Sequence, residues 1–329
     1  MTYVLLQDHK EIGGYFGFDL TSQNQFPYAT AKKYCSARAA FYDLVQNIGV
    51  QTIWMPRFIC DTMLKPLELL NIKIKFYDLD SNFFPQNLPS LNRNEFFFYV
   101  NYFGICVSNQ KKLMEQYPLG RLIFDHSQAF FMKPFANVHT IYSPRKFLPV
   151  ADGGLLVTDK YLSTTLDVKA PEELIQQYQH LFKRFINSAQ DGYAQFQCAE
   201  SSLNDCIPKK ISPITEVILN NLDYASYKQK RMENFKFLHS KLSNFNQITL
   251  NLNEIESPLT YPFLWNERFS ELLISKKIYV PTYWNDCLIR VQENSFEHTL
   301  IHNVTHLVCD HRYSLSDMQY QIDQIMEYL

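Results

Sequence analysis

Two residues of complementary chemistry sit in one short stretch of the chain. Asp125 opens Asp125-His126-Ser127-Gln128, and Lys146 closes Ser143-Pro144-Arg145-Lys146, ahead of Asp152-Gly153-Gly154. A lysine amine condenses with an aldehyde to give a Schiff base, and an aspartate can keep a pyridinium nitrogen protonated. Pyridoxal 5'-phosphate chemistry uses both. Its phosphate is held by hydroxyls, by backbone N–H groups at a helix N-terminus and often by an arginine. Ser36-Ala37-Arg38 and Ser143 carry such groups. The spacing by itself also fits a loop aspartate and a solvated lysine.

These residues need a scaffold, and the first half of the chain has the rhythm of one. Strands are predicted at 51–55, 72–77, 96–101, 122–124, 138–142 and 154–158, with helices at 36–47, 62–70 and 109–117 between them. In the first of those helices apolar residues recur at helical spacing and Ser36 is a good N-cap. Alternation of this kind predicts a mostly parallel sheet flanked by helices, with ligands at the carboxyl ends of the strands. Asp125 and Ser143 each fall just past such an end. A helix follows at 171–188, then a polar irregular stretch at 190–210. One long helix is expected over 214–242, and strands near 248–252, 260–264, 278–280 and 288–291, with a terminal helix from 316. The expected organisation is a large cofactor-binding domain at 1–212 and a smaller C-terminal α/β domain at 213–329.

With these motifs in order, the sequence resembles the DegT/DnrJ/EryC1/StrS aminotransferases, a family of fold-type I pyridoxal phosphate enzymes. Ser36-Ala37-Arg38 stands at the family's phosphate anchor, and Pro56-Arg57-Phe58-Ile59-Cys60 at the turn after the next strand. Asp125 to Gln128 matches the carboxylate motif and Ser143 to Lys146 the Schiff-base segment. Ala151-Asp152-Gly153-Gly154 stands where Gly-Glu-Gly-Gly would be. The opening from Ile12 to Asp19 and the segment from Ile278 to Trp284 are also similar to shorter members.

The resemblance implies that Lys146 is the catalytic residue and carries the cofactor. Asp125 would pair with the ring nitrogen and Gln128 would sit near the ring hydroxyl. Ser36, Ala37, Arg38 and Ser143 would hold the phosphate, and Cys60 would stand where many relatives stack an aromatic ring. It further implies a homodimer with the site at the subunit boundary, and transfer of an amino group from glutamate or glutamine to a keto-sugar carried on a nucleotide. Related dehydratases have a histidine in place of Lys146, so transamination is the expected outcome. The other reading is a non-catalytic regulatory or assembly protein that kept the fold and the cofactor. Ala37 replaces the usual glycine, which shifts more of the phosphate binding onto Arg38 and Ser143.

Composition narrows the remaining classes. Nine glycines occur, and no arrangement of them gives G-x-G-x-x-G or a P-loop. With 31 basic against 33 acidic residues, no footprint for nucleic acid is expected. Apolar runs are too short to span a bilayer, and the N-terminus lacks the pattern of a secretory signal. Seven scattered cysteines without C-x-x-C fit a reduced, cytoplasmic setting. Ser143-x-x-Lys146 also occurs in penicillin-binding enzymes, but the Ser-Asp-Asn and Lys-Thr-Gly partners are missing. His298, His302, His306, Cys309 and His311 read as surface or half-buried side chains, and no metal is expected. The aromatic run 96–103 reads as core.

Overall fold

The aromatic run is the middle of the sheet. Every residue of Glu95–Val100 is buried, as expected of a strand covered on both faces. The computed structural model describes residues 14, 15, 20 and 26–329, so the opening motif at 12–19 lies outside the described residues apart from Gly14 and Tyr15. Among the described residues the main sheet has seven strands: β1 Lys32–Tyr34, β2 Thr52–Pro56, β3 Lys73–Tyr77, β4 Glu95–Val100, β5 Leu122–Asp125, β6 His139–Tyr142 and β7 Gly154–Val157. Their order is β1-β7-β6-β5-β4-β2-β3. Strands β3, β2, β4, β5 and β6 are parallel neighbours, and β7 runs antiparallel to both β6 and β1.

Helices α1 Ala37–Asn47, α2 Lys65–Leu69 and α3 Val107–Gln116 connect these strands, and α4 Pro171–Ile186 and α5 Tyr193–Ser201 follow them. Ser36 caps α1 by accepting the Ala39 N–H at 3.1 Å. The α1 stripe of Ala40, Phe41, Leu44 and Val45 is buried, and Phe41 packs on Phe98 of β4. The fold class expected from the sequence is the one observed.

The C-terminal part holds α6 Pro213–Leu219, α7 Tyr224–Leu242, α8 Ser270–Ser275, α9 Phe296–Asn303 and α10 Leu315–Ile325, with β8 Tyr261–Leu264 antiparallel to β9 Val304–Leu307. The single helix expected over 214–242 is two. The break comes where Asp223 turns its carboxylate to accept the Ser226 N–H and starts α7 afresh. A short polar side chain with this option competes with helix continuation.

Three of the strands expected here are absent. At 248–252, Asn246 and Asn251 accept backbone N–H groups two residues on, which bends the chain into turns. At 278–280, Lys277 has a positive φ that ends α8 without starting a ladder. Residues 288–291 lie at the end of a 3₁₀ turn, Asn285–Ile289. The stretch 190–210, read as irregular, contains α5. Its own apolar stripe is weak because Tyr193 and Phe196 remain exposed. The core of the main sheet continues into Cys287, Leu300, Ile301 and Val304 of the C-terminal part.

Candidate active site

Four chain segments meet at one edge of the sheet. Because β1 runs antiparallel to β7 and β7 antiparallel to β6, β1 ends on the same edge as the parallel strands. Ser36 follows β1, Cys60 follows β2, Asp125 closes β5, and Ser143 and Lys146 follow β6. The sequence thus places every expected site residue at the carboxyl ends, where such sheets bind ligands.

Two glycines allow the approach. Gly153 bridges to Ser36, and its N–H donates to the Cys35 carbonyl at 2.8 Å. A Cβ on Gly154 would overlap the Ser36 carbonyl and the Ala37 amide nitrogen. The start of β7 is therefore in direct backbone contact with the start of α1, and the N-terminus of that helix is held beside the lysine loop. Asp152 anchors the same corner from behind. Its carboxylate accepts the Ser212 N–H at 2.9 Å and the Ser212 hydroxyl at 2.8 Å, and also bonds the Thr215 hydroxyl. Asp152 is thus fully committed to the N-terminus of α6.

Asp125 is 5% exposed. Its Oδ1 accepts the Ser127 N–H at 2.7 Å. Burial raises its carboxyl above the ordinary carboxylate range, and the Lys146 ammonium pulls it back down. Lys146 is exposed, on the wall of the adjoining cleft. Desolvation lowers its ammonium from the ordinary lysine value, opposed first by Asp125 and then by Cys60. Each charge of the pair therefore shifts the ionisation of the other. Cys60 is half-buried, and burial raises its thiol while the Thr62 hydroxyl, a donor to its sulfur at 3.2 Å, and Lys146 pull it down.

Gln128 is fully buried. Its Oε1 accepts the Phe103 N–H at 2.8 Å, while its Nε2 has no partner among the described residues. A buried amide donor left unpaired costs roughly 1–3 kcal/mol, so this N–H is suited to a ligand acceptor. His126, the next residue after Asp125, is structural. Burial pushes it down to about 3, and its Nε2 bonds Gln110. Tyr102 and Phe103 are buried as well, and the Tyr102 hydroxyl donates to the Phe58 carbonyl at 3.0 Å.

Arg38 donates from Nη1 to Asn204 at 2.6 Å. Burial and the neighbouring charge of Arg145 lower its guanidinium, and Cys206, Cys60 and Glu200 oppose them. It therefore lies in the same neighbourhood as Cys60 and the lysine loop. Ser143 is buried at the end of β6. A helix N-terminus with Ser36 and Arg38, a lysine, a buried carboxylate and an unpaired amide donor are the groups that pyridoxal phosphate requires, and the residues present fit it.

A cleft of about 1220 Å³ adjoins the site. Arg145 and Lys146 form one wall, and Tyr178, Phe182, Phe185 and Phe196 another. Arg184, Arg231 and Arg312 add positive charge, with Asp310 the acid among the lining residues. Asp125, Cys60 and Ser36 lie outside this lining, so Lys146 is the expected site residue that the cleft reaches. Sequence reasoning missed the cleft's cations. Arg145 pairs with Glu200, and Arg231, 2% exposed, stacks its guanidinium 4.6 Å from the Phe147 ring. Neither contact has a sequence signal, because each joins segments far apart in the chain.

No protein-family model and no curated protein matches the sequence. Solved structures do match the fold. The sugar aminotransferase CalS13 from Micromonospora echinospora aligns over 90% of this chain and 87% of its own, at 12% identity and a TM-score of 0.58. A DegT DnrJ EryC1 StrS aminotransferase from Brucella abortus aligns over 91% and 85%, at 12% identity and a TM-score of 0.57. A GDP-4-keto-6-deoxymannose-3-dehydratase with a trapped PLP-glutamate geminal diamine aligns over 89% and 87%, at 15% identity and a TM-score of 0.58. Along nine-tenths of its length, this chain has the fold of these enzymes.

Proposed function

We propose that this protein is a pyridoxal phosphate-dependent aminotransferase that moves an amino group from glutamate or glutamine to a nucleotide-linked keto-sugar. The observation that carries the reading is the Asp125–Lys146 pair. A buried carboxylate and a lysine that each shift the other's ionisation lie past strand ends at the carboxyl edge of the sheet, with the unpaired Gln128 amide on the same loop as Asp125. When bound, the cofactor supplies an aldehyde that accepts the amine and a ring that stores the electrons of a broken C–H bond.

The chain's own residues do the rest. Lys146 would hold the cofactor, and its lowered basicity favours taking and returning a proton. Asp125 would hold the ring nitrogen protonated, Gln128 would offer its unpaired amide to the ring hydroxyl, and Cys60 would stand beside the ring. Ser36, Ala37, Arg38 and Ser143 bind the phosphate. Aromatic walls and the arginines of the adjoining cleft suit an anionic, nucleotide-bearing substrate. Residues 1–212 form the cofactor domain and 213–329 the smaller one.

The active form in this reading is a homodimer with the site at the subunit boundary. Phe182 and Phe185 support this, because they line the cleft beside Lys146 and are 50% and 90% exposed. The setting is the cytoplasm, consistent with seven unpaired cysteines. Among the described residues no helix is long and apolar enough to cross a membrane.

The test begins with the purified protein and pyridoxal phosphate. A visible absorption band should form, borohydride should fix the pyridoxyl group on Lys146 by mass spectrometry, and glutamate should shift the band. Lys146→Ala should abolish both fixation and turnover with an unchanged far-UV circular dichroism spectrum. Absence of any band removes the enzyme and cofactor claims together. A band that no amino acid shifts favours the non-catalytic regulator.

A further inference from the structure

The turn at residues 57–61 carries Cys60, and little within the turn itself holds it. Ile59 N–H donates to the Arg57 carbonyl at 3.0 Å, and the Cys60 carbonyl accepts from Met63 at 3.1 Å. The outward-facing backbone groups are instead taken by one short C-terminal segment. Arg290 donates from Nε to the Arg57 carbonyl at 3.0 Å, from Nη2 to the Ile59 carbonyl and from Nη1 to Asp61. Asp286 accepts the Asp61 N–H at 2.6 Å. In return Arg57 donates from Nη1 to the Arg290 carbonyl at 3.2 Å. Trp284, at the head of this segment, sets its ring edge-on to Phe58 with centroids 4.7 Å apart.

All three nitrogens of the Arg290 guanidinium are therefore used on a single turn. Its side chain is 11% exposed. The turn is bracketed from the other side by Tyr102, whose hydroxyl holds the Phe58 carbonyl. Between these two grips stands Cys60, which senses Lys146, Asp125 and Asp286 together.

We propose that Arg290 is a positioning residue: it locks the C-terminal part onto the 57–61 turn and thereby fixes Cys60 beside Lys146. Docking of the C-terminal part and the shape of the cofactor site are in this way one event. The planar fork of arginine matches three acceptors at fixed angles, whereas a lysine can serve only part of the set. The link to the cofactor rests on the function proposed above, and the link to Cys60 stands without it.

The test is site-resolved alkylation with iodoacetamide, read cysteine by cysteine by mass spectrometry, on the full chain. Cys106 and Cys309 are buried in the two parts of the molecule and serve as internal controls. In Arg290→Ala, Cys60 should react about tenfold faster than in the parent, because charge-assisted hydrogen bonds are lost, with Cys106 and Cys309 unchanged. Arg290→Lys and Asp286→Asn should move Cys60 in the same direction by less. On addition of pyridoxal phosphate, the pH midpoint of the visible band should shift in Arg290→Ala relative to the parent.

Cys60 labelling within about twofold of the parent in both Arg290→Ala and Asp286→Asn overturns the proposal. So does acceleration of all three cysteines together, which marks general loosening. If Arg290→Ala does not fold, Arg290→Lys and Asp286→Asn decide the question by the same readout. A parent that gives no visible band at all defeats the functional reading and leaves the labelling result to decide the positioning.

Discussion

Single side chains in this protein are set by where the backbone leaves them, and Glu297 shows this away from the site. It is fully buried at the start of α9, with its Oε1 accepting the Leu79 N–H at 2.6 Å and its Oε2 unpaired among the described residues. Burial raises its carboxyl, the Leu79 N–H works against burial, and the nearby Asp78 charge adds to the rise. A carboxyl raised in the folded state favours folding at low pH, and that contribution is lost as pH rises through the folded value. Glu297→Gln keeps the acceptor and removes the charge. It should raise the thermal midpoint at pH 8 by about 1–3 °C and bring no gain at pH 4.5. Equal shifts at both pH values would contradict this assignment. At the site, residue types only suggested Asp125, Lys146, Ser36 and Arg38, and it was the order of the motifs along the chain that singled them out. The unpaired Gln128 donor was not legible, since it depends on Oε1 being taken by a backbone N–H from another loop.

Elements were legible where a local signal marked them. The N-cap at Ser36 and the buried run of β4 appear in the structure within a residue, and the βα alternation of the first half is present, although α2 begins at Lys65 rather than at 62 and β1 was not expected. The C-terminal part was less legible, because its apolar segments are short and its asparagines and Asp223 turn the chain through side-chain hydrogen bonds. The contact between β7 and α1 makes a sharper point about how elements are joined. Gly154→Ala should destabilise by about 3 kcal/mol or more, or prevent folding, because the new methyl meets backbone that cannot turn aside. Gly120→Ala, with nothing within 4 Å, should leave the urea midpoint nearly unchanged. Comparable midpoints for the two variants would refute the close-contact argument.

At the scale of the whole molecule, the exposed face of α4 demands an account. Ile175, Phe182, Phe185 and Ile186 are 67%, 50%, 90% and 74% exposed on one helix, and large contiguous apolar patches on soluble proteins mark contact surfaces. In the proposed homodimer this face is covered by a second copy. Phe185→Asp combined with Ile186→Asp should convert the dimer to a monomer in sedimentation velocity and lower turnover. A parent that sediments as a monomer at tens of micromolar would remove the dimer from the proposal. This face is not legible from residue order, because the same apolar spacing also serves helices that bury it within one chain.

The reversed direction of β7 has a consequence for how the site comes into being. β6 and β7 are successive strands, with Tyr142 paired to Leu155, so the lysine loop closes locally with little loss of chain entropy. β1 joins the other side of β7, with Tyr34 paired to Gly154, and it arrives from the far end of the sheet-forming sequence. Lys146 thus belongs to a local hairpin, and the proposed phosphate anchor at Ser36 to a long-range closure. Closing the long loop costs more chain entropy than closing the short one, so the half that would grip the phosphate is the costlier to bring together. A phosphate-bearing ligand seated at the head of α1 would therefore stabilise the contact whose closure costs the chain most.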